Sequence, residues 1–192
     1  MSSEPAKYKW LFISALLVLA AQLIPEVLEY DRQNPGQFWR FFTSHFVHWN
    51  LNHLCWDLLL FLVLGYLLIK EDHKIFQLNL IICPWIISLL LWVIEPNMRY
   101  YRGISGIDAA LYTSLACIWL KSDDKFLNLV GLIQLILISA KIIYEFTSQE
   151  AFFADSSTYK VMPWAHLGGV LCSYFTVFFI QKKESPEKAL VY

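Results

Sequence analysis

Three polar side chains that could cooperate in nucleophilic catalysis stand at the starts of three separate apolar runs. They are His53 in His53-Leu54-Cys55-Trp56-Asp57, Ser105 in Gly103-Ile104-Ser105-Gly106, and His166 in Ala165-His166-Leu167-Gly168-Gly169. A serine hydroxyl is a poor nucleophile until a neighbouring base takes its proton, and histidine is the usual base near neutral pH. Because polar groups are costly in such apolar surroundings, this placement predicts an active site inside a membrane protein.

The residues beside Ser105 suit acyl transfer in particular. Gly103 and Gly106 permit backbone geometry and close approach that larger side chains would obstruct. A helix that starts here would also offer free N–H groups to a developing oxyanion. Taken alone, the Gly-x-Ser-Gly pattern is a weak signal, because small residues also pack between membrane helices and serine also caps helices.

The composition predicts that the solvent of this chain is a lipid bilayer. Of its 192 residues, 57% are hydrophobic and only 16% are charged, and the mean hydropathy is +0.47. A net charge of -1 with no cluster of Lys and Arg argues against a nucleic-acid partner. Four cysteines lie within apolar runs without a CxxC spacing, which predicts small core residues and neither a zinc site nor a disulfide framework: Cys55, Cys83, Cys117 and Cys172.

Six apolar segments predict one all-α membrane domain over residues 1–192, folded as a six-helix transmembrane bundle. Each segment is close to the ~20 residues that a spanning helix needs, and charged loops separate them. A cleaved secretory signal is the alternative for the first segment, but no convincing small-residue cleavage site follows it. The approximate spans are 10–27, 51–69, 75–94, 104–120, 126–144 and 164–180.

The alternation of the spans brings the three polar residues to one side of the membrane. The second, fourth and sixth segments begin on the same side, and His53, Ser105 and His166 each lie in the first turn of one of them. Lys and Arg are more numerous on the side of both termini, which places the termini in the cytoplasm. The three residues should therefore share a shallow depth near the extracytoplasmic face, where water can enter.

In order, spacing and helix placement, these residues resemble the rhomboid family of intramembrane serine proteases. The resemblance implies a six-helix fold in which Ser105 is the nucleophile, His166 is its base and His53 helps to hold the oxyanion. It implies no cofactor. It runs from Trp39 to about Gly169 and includes Trp39-Arg40, His48 and His53, Gly103-x-Ser105-Gly106, and Ala165-His166-x-x-Gly169.

Finer features resemble the rhombosortase branch of that family. This branch is associated with bacterial proteins that carry a C-terminal Gly-Gly, transmembrane, basic-tail sorting signal, which it cleaves, so the implied partners are membrane-anchored substrates in a bacterial inner membrane. A catalytically inactive rhomboid-like protein that binds transmembrane segments is the alternative, and the oligomeric state stays open. The features are 101–107, His45-Phe46-Val47-His48-Trp49-Asn50, and Lys141-Ile142-Ile143-Tyr144-Glu145.

Two residues depart from the rhomboid pattern. Most rhomboids have Asn where this chain has Asp57, four residues after His53. An ionised carboxyl would repel an oxyanion, so Asp57 must be protonated, paired or used otherwise. As a neutral acid it can donate a hydrogen bond and is then part of the predicted oxyanion site. The family often has a Tyr stacked on the base where this chain has Ala109, so another group must hold His166.

Other charged residues near the helix ends have two interpretations. Lys141 and Glu145 lie one turn apart and are expected to form an ion pair at the rim of the bundle. The sharper hypothesis is that Arg102 or Glu145 contacts the substrate near its scissile bond. Asp108 could face a polar cavity. A metal site formed by His48, His53 and Asp57 is conceivable but has only three ligands, so no metal is predicted.

Overall fold

The long apolar runs of the sequence form helices, and the prediction of an all-α fold is confirmed. The computed structural model describes residues 4–152 and 154–188. The helices are α1 (Glu4–Ala21), α2 (Pro25–Leu28), α3 (Arg40–Thr43), α4 (Leu51–Ile94), α5 (Ser105–Trp119), α6 (Lys125–Ser148) and α7 (Pro163–Lys188), with a 3-10 turn at Ser44–Phe46. Two short strands, β1 (Tyr30–Asp31) and β2 (Tyr100–Tyr101), pair antiparallel.

Helix α4 is a hairpin of two helical arms that meet at Asp72. This residue has non-helical backbone angles, with φ -154° and ψ 105°. Its carboxylate accepts hydrogen bonds from the backbone N–H groups of Lys74 at 2.8 Å and Ile75 at 3.3 Å, so it caps the second arm. The rings of Phe61 and Phe76 lie 6.1 Å apart across the hairpin. The two arms coincide with the segments predicted at 51–69 and 75–94.

The first helix ends at Ala21, earlier than the predicted segment 10–27. The side chain of Gln22 leaves the helical direction and donates to the carbonyl of Phe46 at 2.8 Å, while it accepts from the N–H of His48 at 3.0 Å. Pro25 then begins the short helix α2. The prediction of one continuous helix over 10–27 was therefore wrong at 22–24, where Gln22 makes long-range contacts and the following Pro25 has no N–H to continue α1, whereas 25–27 are helical in α2.

Helix α5 lies at the centre of the bundle, where it packs most extensively on α7 and on α4. A buried polar network crosses this core, in which Asn79 donates to Ser114 and accepts from Thr176, each at 2.8 Å. The thiols of Cys83 and Cys172 lie in contact at 2.7 Å beside it. Three cysteines are buried as predicted, whereas Cys55 is exposed.

The outer faces of the helices expose many large apolar side chains, as a lipid-facing surface requires. Leu129, Ile136 and Leu137 on α6 are each more than half exposed. Within the described residues, α4 and α6 are the two helices long and apolar enough to cross a membrane by length and composition. The predicted domain bounds and cytoplasmic termini include residues 1–3 and 189–192, which lie outside the described residues, and the orientation stays a prediction.

Candidate active site

Gly103 sets the direction in which the chain enters α5. Its φ of +131° is one that side-chain-bearing residues rarely adopt. A Cβ atom here would also lie 3.0 Å from Cε1 of His53. The N–H of Gly103 donates to the carbonyl of Ser44 at 3.1 Å, and its own carbonyl accepts from the hydroxyl of Tyr101 at 3.1 Å. The backbone before Ser105 is thus held from two sides.

Ser105 and His166 are in hydrogen-bond contact. Oγ of Ser105, the first residue of α5, lies 2.9 Å from Nε2 of His166, which is in the first turn of α7. The contact requires α5 and α7 to approach closely, and Gly169 permits this, because a Cβ there would overlap the carbonyl oxygen of Gly106. The packing of α5 on α7 therefore places the hydroxyl and the imidazole at the distance that proton transfer needs.

A carboxylate from α6 holds the other side of the imidazole. Oε2 of Glu145 lies 2.5 Å from Nδ1 of His166. Because a carboxylate only accepts, this contact favours the tautomer with the proton on Nδ1, in which Nε2 can accept from Ser105. Nζ of Lys141 also lies 3.2 Å from Nδ1. Lys141 donates to Oε1 of Glu145 at 2.6 Å and thereby fixes the carboxylate. Serine, histidine and carboxylate in this order can activate the serine for acyl transfer.

His53 lies beside the carboxyl group of Asp57. Nε2 of His53 is 3.1 Å, and Nε2 of His48 is 3.3 Å, from Oδ2 of Asp57. All three side chains are buried. Asp57 therefore lies within ion-pair distance of both histidines, which is one of the options that the sequence left open, although its Oδ2 makes no hydrogen bond with them. Burial lowers the pKa of His48, and the nearby Asp57 opposes this.

Arg102 pairs with the first loop. Its Nε donates to Oε2 of Glu29 at 2.8 Å, and its guanidinium lies 4.7 Å from the ring centre of Trp49. The side chain of Glu145 is only 1% exposed and is engaged by His166 and Lys141. Both residues line the cavity described next, but their polar atoms have partners within the protein.

The polar residues line a cavity of about 510 Å³. Its walls include Ser105, His166 and His53 together with apolar side chains such as Leu60 and Ile138. A cavity with mostly apolar walls and a few convergent polar groups is the usual form of a binding site.

The loop between α6 and α7 covers part of this cavity. The ring of Tyr159 stacks on His53, with the ring centres 4.7 Å apart. Asn50 donates to the hydroxyl of Thr158 at 3.0 Å, and Asn52 accepts from the N–H of Asp155 at 2.8 Å. Burial raises the pKa of Tyr159, and the charges of the nearby acids add to this, so its phenol stays neutral near pH 7.

Comparison with known proteins identifies the family. The model of the Rhomboid domain matches residues 35–183, which is most of the chain. The chain belongs to the rhomboid family. A curated relative, Rhomboid-related protein 1 of Caenorhabditis elegans, is 23% identical over 177 residues, which cover 90% of this chain and 48% of that protein. This rhomboid therefore spans about half the length of the relative that it matches.

Because Ala109 stands where rhomboids often have a Tyr stacked on the base, another group must hold His166, and the structure identifies that group as Glu145. In this rhomboid, the Glu145 carboxylate contacts the imidazole of His166. From the sequence, Glu145 was expected only to pair with Lys141 or to contact the substrate. The available signal was a carboxylate paired at i+4 within an otherwise apolar helix, but nothing in the spacing indicated that α6 would face His166.

Within the described part of the chain, no group of three or more His, Cys, Asp or Glu is arranged to hold a metal ion.

Proposed function

We propose that this rhomboid is an intramembrane serine endopeptidase. The observation that carries the proposal is the continuous chain of contacts from Oγ of Ser105 through the imidazole of His166 to the carboxylate of Glu145, at 2.9 and 2.5 Å. A nucleophile, a base and a group that orients the base are the parts that covalent acyl transfer needs. We assign them to Ser105, His166 and Glu145, so Glu145 serves as a positioning residue and not as a substrate contact.

In the proposed reaction, Oγ of Ser105 attacks the carbon of the scissile carbonyl while its proton passes to Nε2 of His166. The imidazolium that forms is stabilised by Glu145 on the other side of the ring. Collapse of the tetrahedral intermediate breaks the C–N bond, and His166 gives the proton to the leaving amine. Water then attacks the acyl-enzyme carbonyl while His166 takes its proton. The bond between the acyl carbon and Oγ breaks, His166 returns the proton to Oγ of Ser105, and the new carboxyl end is released.

The oxyanion would form beside the start of α5. The first N–H groups of a helix have no intrahelical acceptor, and no side chain caps α5. His53 adjoins this point, because its Nε2 lies close to Gly103. We assign His53 as an oxyanion donor and Asp57 as the acceptor that orients His53 and His48. This assignment gives Asp57 an indirect place in the oxyanion site.

The substrate would be a single-span segment of another membrane protein. A peptide bond within a helix is shielded by the helix hydrogen bonding, so the segment must unwind locally, and glycine at the cleavage point lowers that cost. We propose a rhombosortase-like activity on C-terminal Gly-Gly tails in a bacterial inner membrane, with both termini of the protease in the cytoplasm. The sequence features around Ser105 and Glu145 support this branch.

A fluorophosphonate probe tests the proposed nucleophile without a known substrate. We expect covalent labelling of the wild-type protein in lipid at Ser105, and no labelling of Ser105→Ala. Ser139→Ala, which removes an exposed hydroxyl on α6 bonded to its own helix, is the matched control and should label normally. A folded wild-type protein that does not react would favour the alternative, a catalytically inactive protein that binds transmembrane segments. The departures from the rhomboid pattern at Asp57 and Ala109 are the observation on which that alternative rests.

Cleavage of a Gly-Gly tail anchor tests the branch assignment separately. The wild-type protein should release the tail in lipid vesicles, and Ser105→Ala should not. Cleavage of other single-span substrates but not of the tail anchor would exclude only the rhombosortase-like specificity. Cleavage by Ser105→Ala would exclude the proposed mechanism.

A further inference from the structure

Asp108 is a buried acidic side chain on the wall of the cavity, and no direct partner engages it. It lies one turn after Ser105 on α5 and is 4% exposed. It lines the same cavity as Ser105 and His166. Neither of its carboxylate oxygens has a hydrogen-bond partner. A buried polar group without a partner costs free energy, so its retention in a binding cavity points to a ligand that supplies the missing contact.

The other acids around the cavity are already paired. Asp57 lies beside two histidines, and Glu145 contacts both His166 and Lys141. The acid of the first loop, Glu29, pairs with Arg102. Among the described acids lining the cavity, Asp108 is the one with both oxygens unbonded.

The charged groups near Asp108 favour the binding of a cation from outside the protein. The charged groups close enough to influence Asp108 are Asp57 and Lys141. Asp57 is itself acidic, and the ammonium group of Lys141 already contacts Glu145 at 2.6 Å. The wall around Asp108 therefore has an excess of acceptors. An incoming ammonium or guanidinium would gain charge-assisted hydrogen bonds that a neutral apolar group could not form.

We propose that Asp108 is a specificity-determining residue that binds a basic side chain, Lys or Arg, of the substrate's transmembrane segment close to the scissile bond. The nature of the occupant rests on the proposed protease function. Three residues of helix rise about 4.5 Å, and helical side chains point back towards the helix start, so the carboxylate lies within a side chain's reach of Ser105.

The cavity wall also suits the stem of such a side chain. Ala109, Tyr112 and Ile138 line the cavity near Asp108 and offer an apolar surface. Lys and Arg lay their aliphatic stems along apolar surfaces while their charged heads reach a polar group. A basic residue on a membrane segment would thus have its stem against this wall and its head at Asp108.

Binding of two peptides to Ser105→Ala protein in lipid nanodiscs tests the proposal without requiring catalysis. The peptides are apolar single-span segments that differ at one position beside a Gly-Gly step, where one has lysine and the other has the neutral isostere norleucine. We expect the lysine peptide to bind about tenfold more tightly, as one charge-assisted contact of about 1.5 kcal/mol would give. Equal affinities would overturn the proposal.

Variants of Asp108 in the same background assign the preference to this carboxylate. Asp108→Asn should abolish the tenfold preference, whereas Asp108→Glu should retain part of it. The matched control is Thr113→Val, which removes a buried, unpartnered hydroxyl of the same helix away from the cavity and should leave the preference unchanged. A preference that survives in folded Asp108→Asn would overturn the proposal. If that variant does not fold, the comparison of the two peptides on the Ser105→Ala protein decides.

The protease activity and the role of Asp108 can fail independently. Labelling of Ser105 by the fluorophosphonate together with equal peptide affinities would leave the protease and remove the role of Asp108. A lysine preference that depends on Asp108, in a protein whose Ser105 does not react, would leave the basic-residue site and remove the protease.

Discussion

Glu145 of α6 holds the imidazole of His166 at 2.5 Å, on the ring edge opposite to Ser105. The three side chains come from three consecutive helices, α5, α6 and α7, so the proposed catalytic unit depends on the packing of all three. The site is therefore a triad in geometry, although the sequence indicated only a serine and a histidine. Lys141, one turn before Glu145, completes the arrangement by pairing with the carboxylate.

Replacing Glu145 with Gln should lower kcat strongly and change KM little. The amide can donate to Nδ1, which favours the ring tautomer that cannot accept the proton of Ser105. We expect a loss of up to about 10⁴-fold in kcat, the effect that the Asp-to-Asn change of the orienting carboxylate has in a serine protease triad. Glu95→Gln, which changes a carboxylate paired with Lys160, is the control. Similar kcat values for Glu145→Gln and the wild type would contradict the positioning role.

Removing the ring of Tyr159 should open the cavity. Its stacking on His53 and on Trp49 covers the site, and an aromatic pair contributes about 0.5–1.5 kcal/mol, so fluorophosphonate labelling of Tyr159→Ala should be about two- to tenfold faster. Tyr174→Ala, which truncates a half-exposed ring on α7, should label at the wild-type rate. Slower labelling of Tyr159→Ala would show that the ring supports the site and does not cover it.

The substitution Gly169→Ala, which adds one methyl group, should separate α5 from α7. The new Cβ would overlap the carbonyl oxygen of Gly106, and overpacking of this kind costs about 1–3 kcal/mol. The thermal midpoint should fall, and labelling of Ser105 should slow with it. Gly36→Ala is the matched control, because nothing lies within 4 Å of the added methyl there. Equal thermal midpoints for the two variants would contradict the close-packing argument.

Acidification should destabilise the protein partly through His45. Burial lowers the pKa of His45 from 6.5 to about 4. As the pH falls, His45 takes up its proton in the unfolded chain before it does so in the folded protein. The contribution of the neutral His45 to the free energy of unfolding is therefore fully present above pH 6.5 and is lost progressively as the pH falls from 6.5 to about 4. At about 1.4 kcal/mol per pKa unit, His45 accounts for at most about 3.5 kcal/mol of this loss.

Thermal midpoints measured between pH 4 and 7 test the contribution of His45. His45→Gln, whose amide can still bond Ser88, should have a shallower pH dependence than the wild type in this interval. Parallel curves for the two proteins would contradict the assignment to His45.

Much of the bundle and part of the site could be predicted from the sequence. The apolar runs and the charged loops indicated the helical segments. The alternation of spans placed His53, Ser105 and His166 at one end, and the structure brings Ser105 and His166 into contact. These predictions succeeded because they rest on hydrophobicity and on counting, which are properties of the chain itself.

The remaining parts of the site depend on tertiary contacts that leave no local signal. The pairing of Glu29 with Arg102 joins residues 73 positions apart, and the stack of Tyr159 on His53 is set by the path of an irregular loop. The end of α1 was mispredicted for the same reason, since Gln22 bonds Phe46. Asp108 was noted as a residue that could face a cavity, but only the structure identifies its lack of a partner.

The strand that leads into Ser105 is fastened to the amino-terminal part of the chain. Tyr101 pairs with Tyr30, and Arg102 pairs with Glu29, yet the family match begins only at residue 35. A protein shortened to residues 35–183 would keep Ser105, His166 and Glu145. It would lose the contacts of Tyr30 and Glu29, which position the backbone before Ser105. In such a fragment the hydroxyl of Ser105 should no longer be held against Nε2 of His166.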